Sequence, residues 1–189
     1  MLMSNVEKFR PGSALVSGAV LIVFFTGFII QSAIYGGDIA LTMLICSAGI
    51  ISAYLLFLRP YVLIFDEGIK IVNPTKEITV TWDLVDQIDT KYSMSISVGD
   101  QIFHAWAAPA PSRTHQRRLH KSDLLPGADP LRRVGDSSRS DSGVCAHIAK
   151  LRKKSFVGVS NSKFEVRSDV RILALDIALI VIALAIAIF

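Results

Sequence analysis

The sequence predicts an α+β membrane protein: three transmembrane helices with a small cytoplasmic antiparallel β domain plus one helix. Three observations predict it. Hydrophobic residues make up 51% of the 189 residues and gather in three long runs that are almost free of charge. Between the second and third runs, apolar and polar residues alternate with a period of two, interrupted by Gly, Pro and Asn turn signals. A Ser- and Pro-rich basic stretch follows, and then a short apolar stripe at helical spacing.

The spans come first. Residues 14–35 and 39–58 carry no charge, and 172–189 carries only Asp176. About 20 helical residues cross a hydrocarbon core. Gly36, Gly37 and Asp38 separate the first two runs, which predicts a tight helical hairpin. A signal peptide is the other reading of the first run, since Lys8 and Arg10 precede it. Its apolar stretch is too long for that, and no small-x-small cleavage site follows. Lys and Arg near the span ends set orientation. They lie at Lys8, Arg10, Arg59, Arg167 and Arg171, and the 36–38 loop has none. The N-terminus (1–13) and residues 59–171 are therefore expected in the cytoplasm, with the C-terminus outside a multi-pass plasma (inner) membrane protein.

Arg59-Pro60 stops the second helix. Five strands then follow: Tyr61–Phe65, Ile69–Asn73, Glu77–Trp82, Tyr92–Val98 and Gln101–Ala107. Asp66-Glu67-Gly68 is a turn, with Gly68 available for positive φ. Asn73-Pro74 is a second turn, and Gly99-Asp100 a two-residue hairpin loop. Tyr92, Met94, Ile96 and Val98 are expected to face inward, with the intervening serines outward. Trp82, Val85 and Ile88 lie three apart, which predicts a short helical turn capped by Asp83.

Residues 59–105 hold four Lys/Arg against seven Asp/Glu, whereas 106–171 hold fourteen against six. The basic charge thus sits beyond the strands. Residues 108–141 are rich in Ser, Pro and Arg, contain no aromatic residue, and are expected to be a disordered basic insert. From 142 to 171 come a helix and a linker. Val144, Ile148 and Leu151 form its predicted stripe, Asp141 or Ser142 its cap, and Arg152, Lys153 and Lys154 its basic end. Residues 156–159 and 164–166 are short strand-like pieces.

The stretch RPYVLIFDEGIKIVNPTKEITVTWDLVDQID (59–89), followed by AWAAPAPSR (105–113), resembles actinobacterial bacterial-PH-like membrane proteins, the group related to low molecular weight protein antigen six. The marks are Arg59-Pro60, Gly68, Asn73-Pro74, Trp82 and the 105–111 run. The resemblance implies a PH-like β domain at 59–107 attached to transmembrane helices. The turn at 66–68 is acidic, so an inositol phosphate is not expected to bind there.

Candidate sites are few. Arg113, Arg117, Arg118, Lys121, Arg152, Lys153 and Lys154 are placed to meet the anionic lipids of the inner leaflet, each worth about 1 kcal/mol near it. No stacking aromatics accompany them, so nucleic acid is not an expected partner. Asp176, an ionisable group inside a span, is a candidate intramembrane functional residue. It sits near the cytoplasmic interface, where snorkelling is expected to relieve its cost. His104, His115, His120 and His147 share no ligand spacing, and Cys46 and Cys145 form no pair motif. No cofactor, metal or catalytic set is expected, and the chain is read as a non-enzymatic scaffold with an unknown protein partner. A small transporter or channel accessory subunit centred on the spans and Asp176 is the alternative.

Overall fold

The computed structural model describes residues 4–110, 140–158 and 162–188. The chain divides into two compact units. One gathers 1–10, 61–73 and 77–166, and the other 11–60, 74–76 and 167–189.

The second unit is helical. Helix α1 (Gly12–Tyr35) ends where Gly36 takes φ 76°, and its N–H returns to the Ser32 carbonyl. Helix α2 (Ile39–Ala53) starts with the Asp38 carboxylate accepting from the Leu41 N–H at 3.1 Å. It continues through a π-helical turn, Tyr54–Leu58. Among the described residues two helices are long and apolar enough to cross a membrane, Gly12–Tyr35 and Ile39–Leu58. A Cβ on Gly49 would come within 2.4 Å of the Phe25 ring, so glycine here lets α1 and α2 approach closely. The third run forms helix α4 (Arg171–Ile188), which packs along α2. Below α2, the nearly buried Arg59 donates to the Pro74 carbonyl at 2.8 Å and pairs with Asp169 at 3.5 Å.

The strands form two antiparallel sheets, which belong to the first unit except for Lys76 and residues 167–168. One has the order β1-β2-β3-β4-β8: β1 (Glu7–Phe9), β2 (Tyr61–Phe65), β3 (Gly68–Val72), β4 (Lys76–Thr81) and β8 (Phe164–Ser168). The other is β5 (Gln87–Asp89), β6 (Ser93–Val98) and β7 (Gln101–Pro109). Period-two alternation sets the register. Val62 lies opposite Ile71, which lies opposite Ile78, and Ile64 opposite Ile69, which lies opposite Val80. This aliphatic ladder faces Met94, Ile96, Ala105, Ala107 and Ala108 from the second sheet. Helix α3 (Asp141–Ser155) covers the core, touching strands of both sheets. Trp82 is buried in the same core, and its indole N–H donates to the Phe65 carbonyl at 3.0 Å.

Several sequence expectations give way here. Residues 7–9, read only as a cytoplasmic lead, form β1 and pair with β2. Three residues give no period to detect, and the partner lies more than fifty positions away. Ile88 stands on β5, not on a helical turn: the turn is 3₁₀, covers only Trp82–Leu84, and is followed by pairing with β6. Tyr92 lies before β6 and is exposed, and Ser95 is buried beside the register shift between Ser93 and Ser95, while Met94 and Ile96 face inward as expected. Strand β7 runs on to Pro109 with Ala107 and Ala108 in the core, so the expected exit at 107 comes later.

Helix α3 is capped by the Ser140 hydroxyl, which accepts from the Gly143 N–H at 3.0 Å. Its buried face is Ser142, Cys145, Ala146 and Ala149, whereas Leu151 of the expected stripe is exposed. The sheets leave room for small side chains, and close approach wins over large apolar ones. Residues 111–139, with Arg113, Arg117, Arg118 and Lys121, lie outside the described residues.

Gly68 is not among the glycines with positive φ. It is needed because a Cβ there would come within 2.2 Å of the Val80 carbonyl oxygen on β4. Gly68→Ala should therefore cost about 1–3 kcal/mol through overpacking against backbone. Chemical denaturation followed by tryptophan fluorescence in detergent checks this, and an unchanged midpoint would contradict it.

Candidate functional site

The basic end of α3 is held within its own unit. Arg152 pairs through Nη2 with Glu7 of β1 at 2.5 Å and through Nη1 with Asp66 of the β2–β3 turn. The hydrogen bond to Glu7, aided by the nearby carboxylates, raises its pKa further, so the guanidinium is a permanent cation. Asp66 also accepts from Asn5 Nδ2 at 2.7 Å. The Lys153 ammonium donates to the Val85 and Asp86 carbonyls. Lys154 is exposed at the helix end. The acidic turn and the basic helix end thus face one another: one guanidinium ties the first strand, the first hairpin turn and the helix together.

Cys145 lies in the core on the buried face of α3. Burial, with the Asp141 charge beside it, pushes its thiol up to about 12. It stays protonated at neutral pH and packs as a small apolar group.

Asp176 departs from expectation. It does not snorkel: the side chain is 4% exposed and turned into the helical unit. The Ser52 hydroxyl of α2 donates to its Oδ2 at 2.6 Å. Among the described residues nothing donates to its Oδ1. Ser52 is one of the small residues spaced four apart on α2, so its size lets α4 approach while its hydroxyl meets the carboxyl. The lone Asp176 was visible in the sequence, and its partner 124 residues away was not.

On the outer face of β7, Ile102 and Trp106 are 65% and 56% exposed, with His104 between them. Beside them the Asn73 amide donates to the His104 carbonyl at 2.8 Å, and its oxygen accepts from the Trp106 N–H at 2.9 Å. One side chain thus occupies the backbone groups of β7 as a neighbouring strand would. Among the described residues no group of three or more His, Cys, Asp or Glu is arranged to hold a metal ion. Compared with protein families, curated proteins and solved structures, the chain matches none.

Two outcomes follow from this geometry. Native full-length protein should leave Cys145 unalkylated by iodoacetamide at pH 8 and label it fully in denaturant, as read by peptide mass spectrometry. Rapid native labelling would show that α3 does not stay docked. Ser52→Ala should lower the thermal stability of the helical unit by about 0.6–2 kcal/mol, because it strips Asp176 of its donor. In a double-mutant cycle with Asp176→Leu, the two losses should be strongly non-additive; additive losses would contradict the pair.

Proposed function

We propose that this chain is a three-span membrane protein whose PH-like domain is a non-enzymatic interaction module held at the inner leaflet. The observation that carries the reading is the combination, in one chain, of two helices able to cross a membrane with a unit of two antiparallel sheets covered by a following helix. That layering favours the PH-like resemblance of residues 59–113. Helix α4, apolar apart from Arg171 and Asp176, is the third span.

On this reading the protein partner docks on the outer face of β7. Ile102 and Trp106 offer an apolar anchor with an aromatic centre, the residue type that carries most binding energy at protein interfaces. Arg152 and Lys153 have partners inside the domain, so contact with anionic lipid falls to Lys154 and to Arg113, Arg117, Arg118 and Lys121 of the insert. The buried Asp176 with its open Oδ1 favours one second reading, a transporter or channel accessory role for the helices.

Crosslinking capture from native membranes separates the two. The pair Ile102→Ser and Trp106→Ala should lose the partner recovered with the wild-type chain while leaving the protein folded. Recovery of the same partner by that variant, or by the helices alone, would overturn the docking face. Purified chain in liposomes should show equal ion flux with and without Asp176→Asn, and a changed flux would favour the second reading. A single reporter cysteine at residue 120 should be closed to impermeant reagents added outside intact cells.

A further inference from the structure

Strand β8 ends the larger sheet, and among the described residues no strand lies beyond it. Two backbone bonds fix its course on β4. The Thr81 N–H donates to the Lys163 carbonyl at 3.1 Å, and the Asp169 N–H donates to the Thr75 carbonyl at 2.9 Å. The strands are therefore antiparallel, with Lys163 beside Thr81 and Asp169 beside Thr75. In such a ladder both backbone groups of a residue point to one side, and successive residues alternate. Residues 163, 165, 167 and 169 thus turn theirs to β4. Phe164, Val166 and Ser168 turn theirs to the open edge.

The side chains alternate as well. Lys163, Glu165, Arg167 and Asp169 run plus, minus, plus, minus, with Phe164, Val166 and Ser168 between them. This pattern is its own complement. When a second copy lies antiparallel with the two Val166 residues opposite, Glu165 falls opposite Arg167 and Lys163 opposite Asp169, in both directions. In that register Phe164, Val166 and Ser168 are the residues whose open backbone groups meet. The backbone geometry permits the alignment that the charge order selects, although neither requires the other. The strand contains no proline and no positive-φ residue, and the charges that would guard such an edge are here ordered so that a second copy complements them. Phe164 and Val166 are each 41% exposed, so pairing has apolar surface to cover.

We propose that β8 is a self-association edge: two copies of this chain join β8 to β8, antiparallel about Val166, and their larger sheets become one. The contact is isologous and closes at a dimer. The charged residues keep their present neighbours, such as Lys163 with Glu165 at 2.8 Å, and gain an opposite charge across the axis.

The test is sedimentation equilibrium of the full-length chain in density-matched detergent, with circular dichroism as the control for folding. Wild type should reach twice 20.6 kDa of protein mass. Val166→Pro removes only an edge-facing N–H, which an edge strand tolerates, and should give a folded monomer. Arg167→Glu places like charges opposite each other twice and should weaken the dimer about tenfold or more. Adding Glu165→Arg to it should restore the wild-type constant. A wild-type monomer, as when residues 111–139 occupy the edge, overturns the proposal. So does a dimer that survives Val166→Pro, as when the apolar helices associate, or a charge reversal that the second substitution does not rescue.

Discussion

The β unit depends on one close approach, that of α3 to the open side of its two sheets. Neither sheet buries its inner face by itself: the larger offers Val62, Ile64, Ile69, Ile71, Ile78 and Val80, the smaller Met94 and Ile96. Ser142, Cys145, Ala146 and Ala149 let the helix backbone come down onto both. A Leu or Phe at those positions would hold the helix off and leave unfilled volume beneath it, at a cost that grows with the cavity. Once α3 is seated, its last turn lies where Arg152 meets Glu7 and Asp66, and where Lys153 meets the Val85 and Asp86 carbonyls. The basic helix end therefore closes the unit, and the N-terminal strand is pinned by the same guanidinium.

How much of this was legible in the sequence follows from the range of each interaction. The hairpins β2–β3, β3–β4 and β6–β7 are local, their turns carry Gly, Asn or Pro, and their alternation is strong, so all were readable within a residue or two. Both candidate spans were readable for the same reason, since length and lack of charge are local properties. The failures have a common cause. Strand β1, the partner of Asp176, the clamp of Asn73 on β7 and the anchorage of Arg152 all join residues far apart in sequence. No period or spacing announces them. The buried face of α3 was legible only in part. Of its apolar stripe Val144, Ile148 and Leu151, Ile148 packs against the core and Leu151 is exposed, while steric fit to the sheets buried the smaller neighbours more fully.

Gly68 shows why a correct residue can be assigned the wrong reason. Its place after Asp66-Glu67 marked it as available for positive φ. The structural demand is for space, because the Val80 carbonyl of β4 lies where a side chain would start. The same distinction separates Asp176 from an interfacial aspartate. Position in the run places it near the end of a span, yet the direction of its side chain, toward Ser52, makes it an internal group. The sequence determines depth along a helix more plainly than it determines the face turned inward.

The central claim is that α3 and the two sheets form one cooperative unit. Native-state hydrogen exchange of the full-length chain in detergent tests it most directly. The account predicts that the amides of α3 and those of β2, β3 and β6 open with a common free energy and a common denaturant dependence. Exchange of α3 at much lower free energy, with the sheet amides still protected, would contradict it.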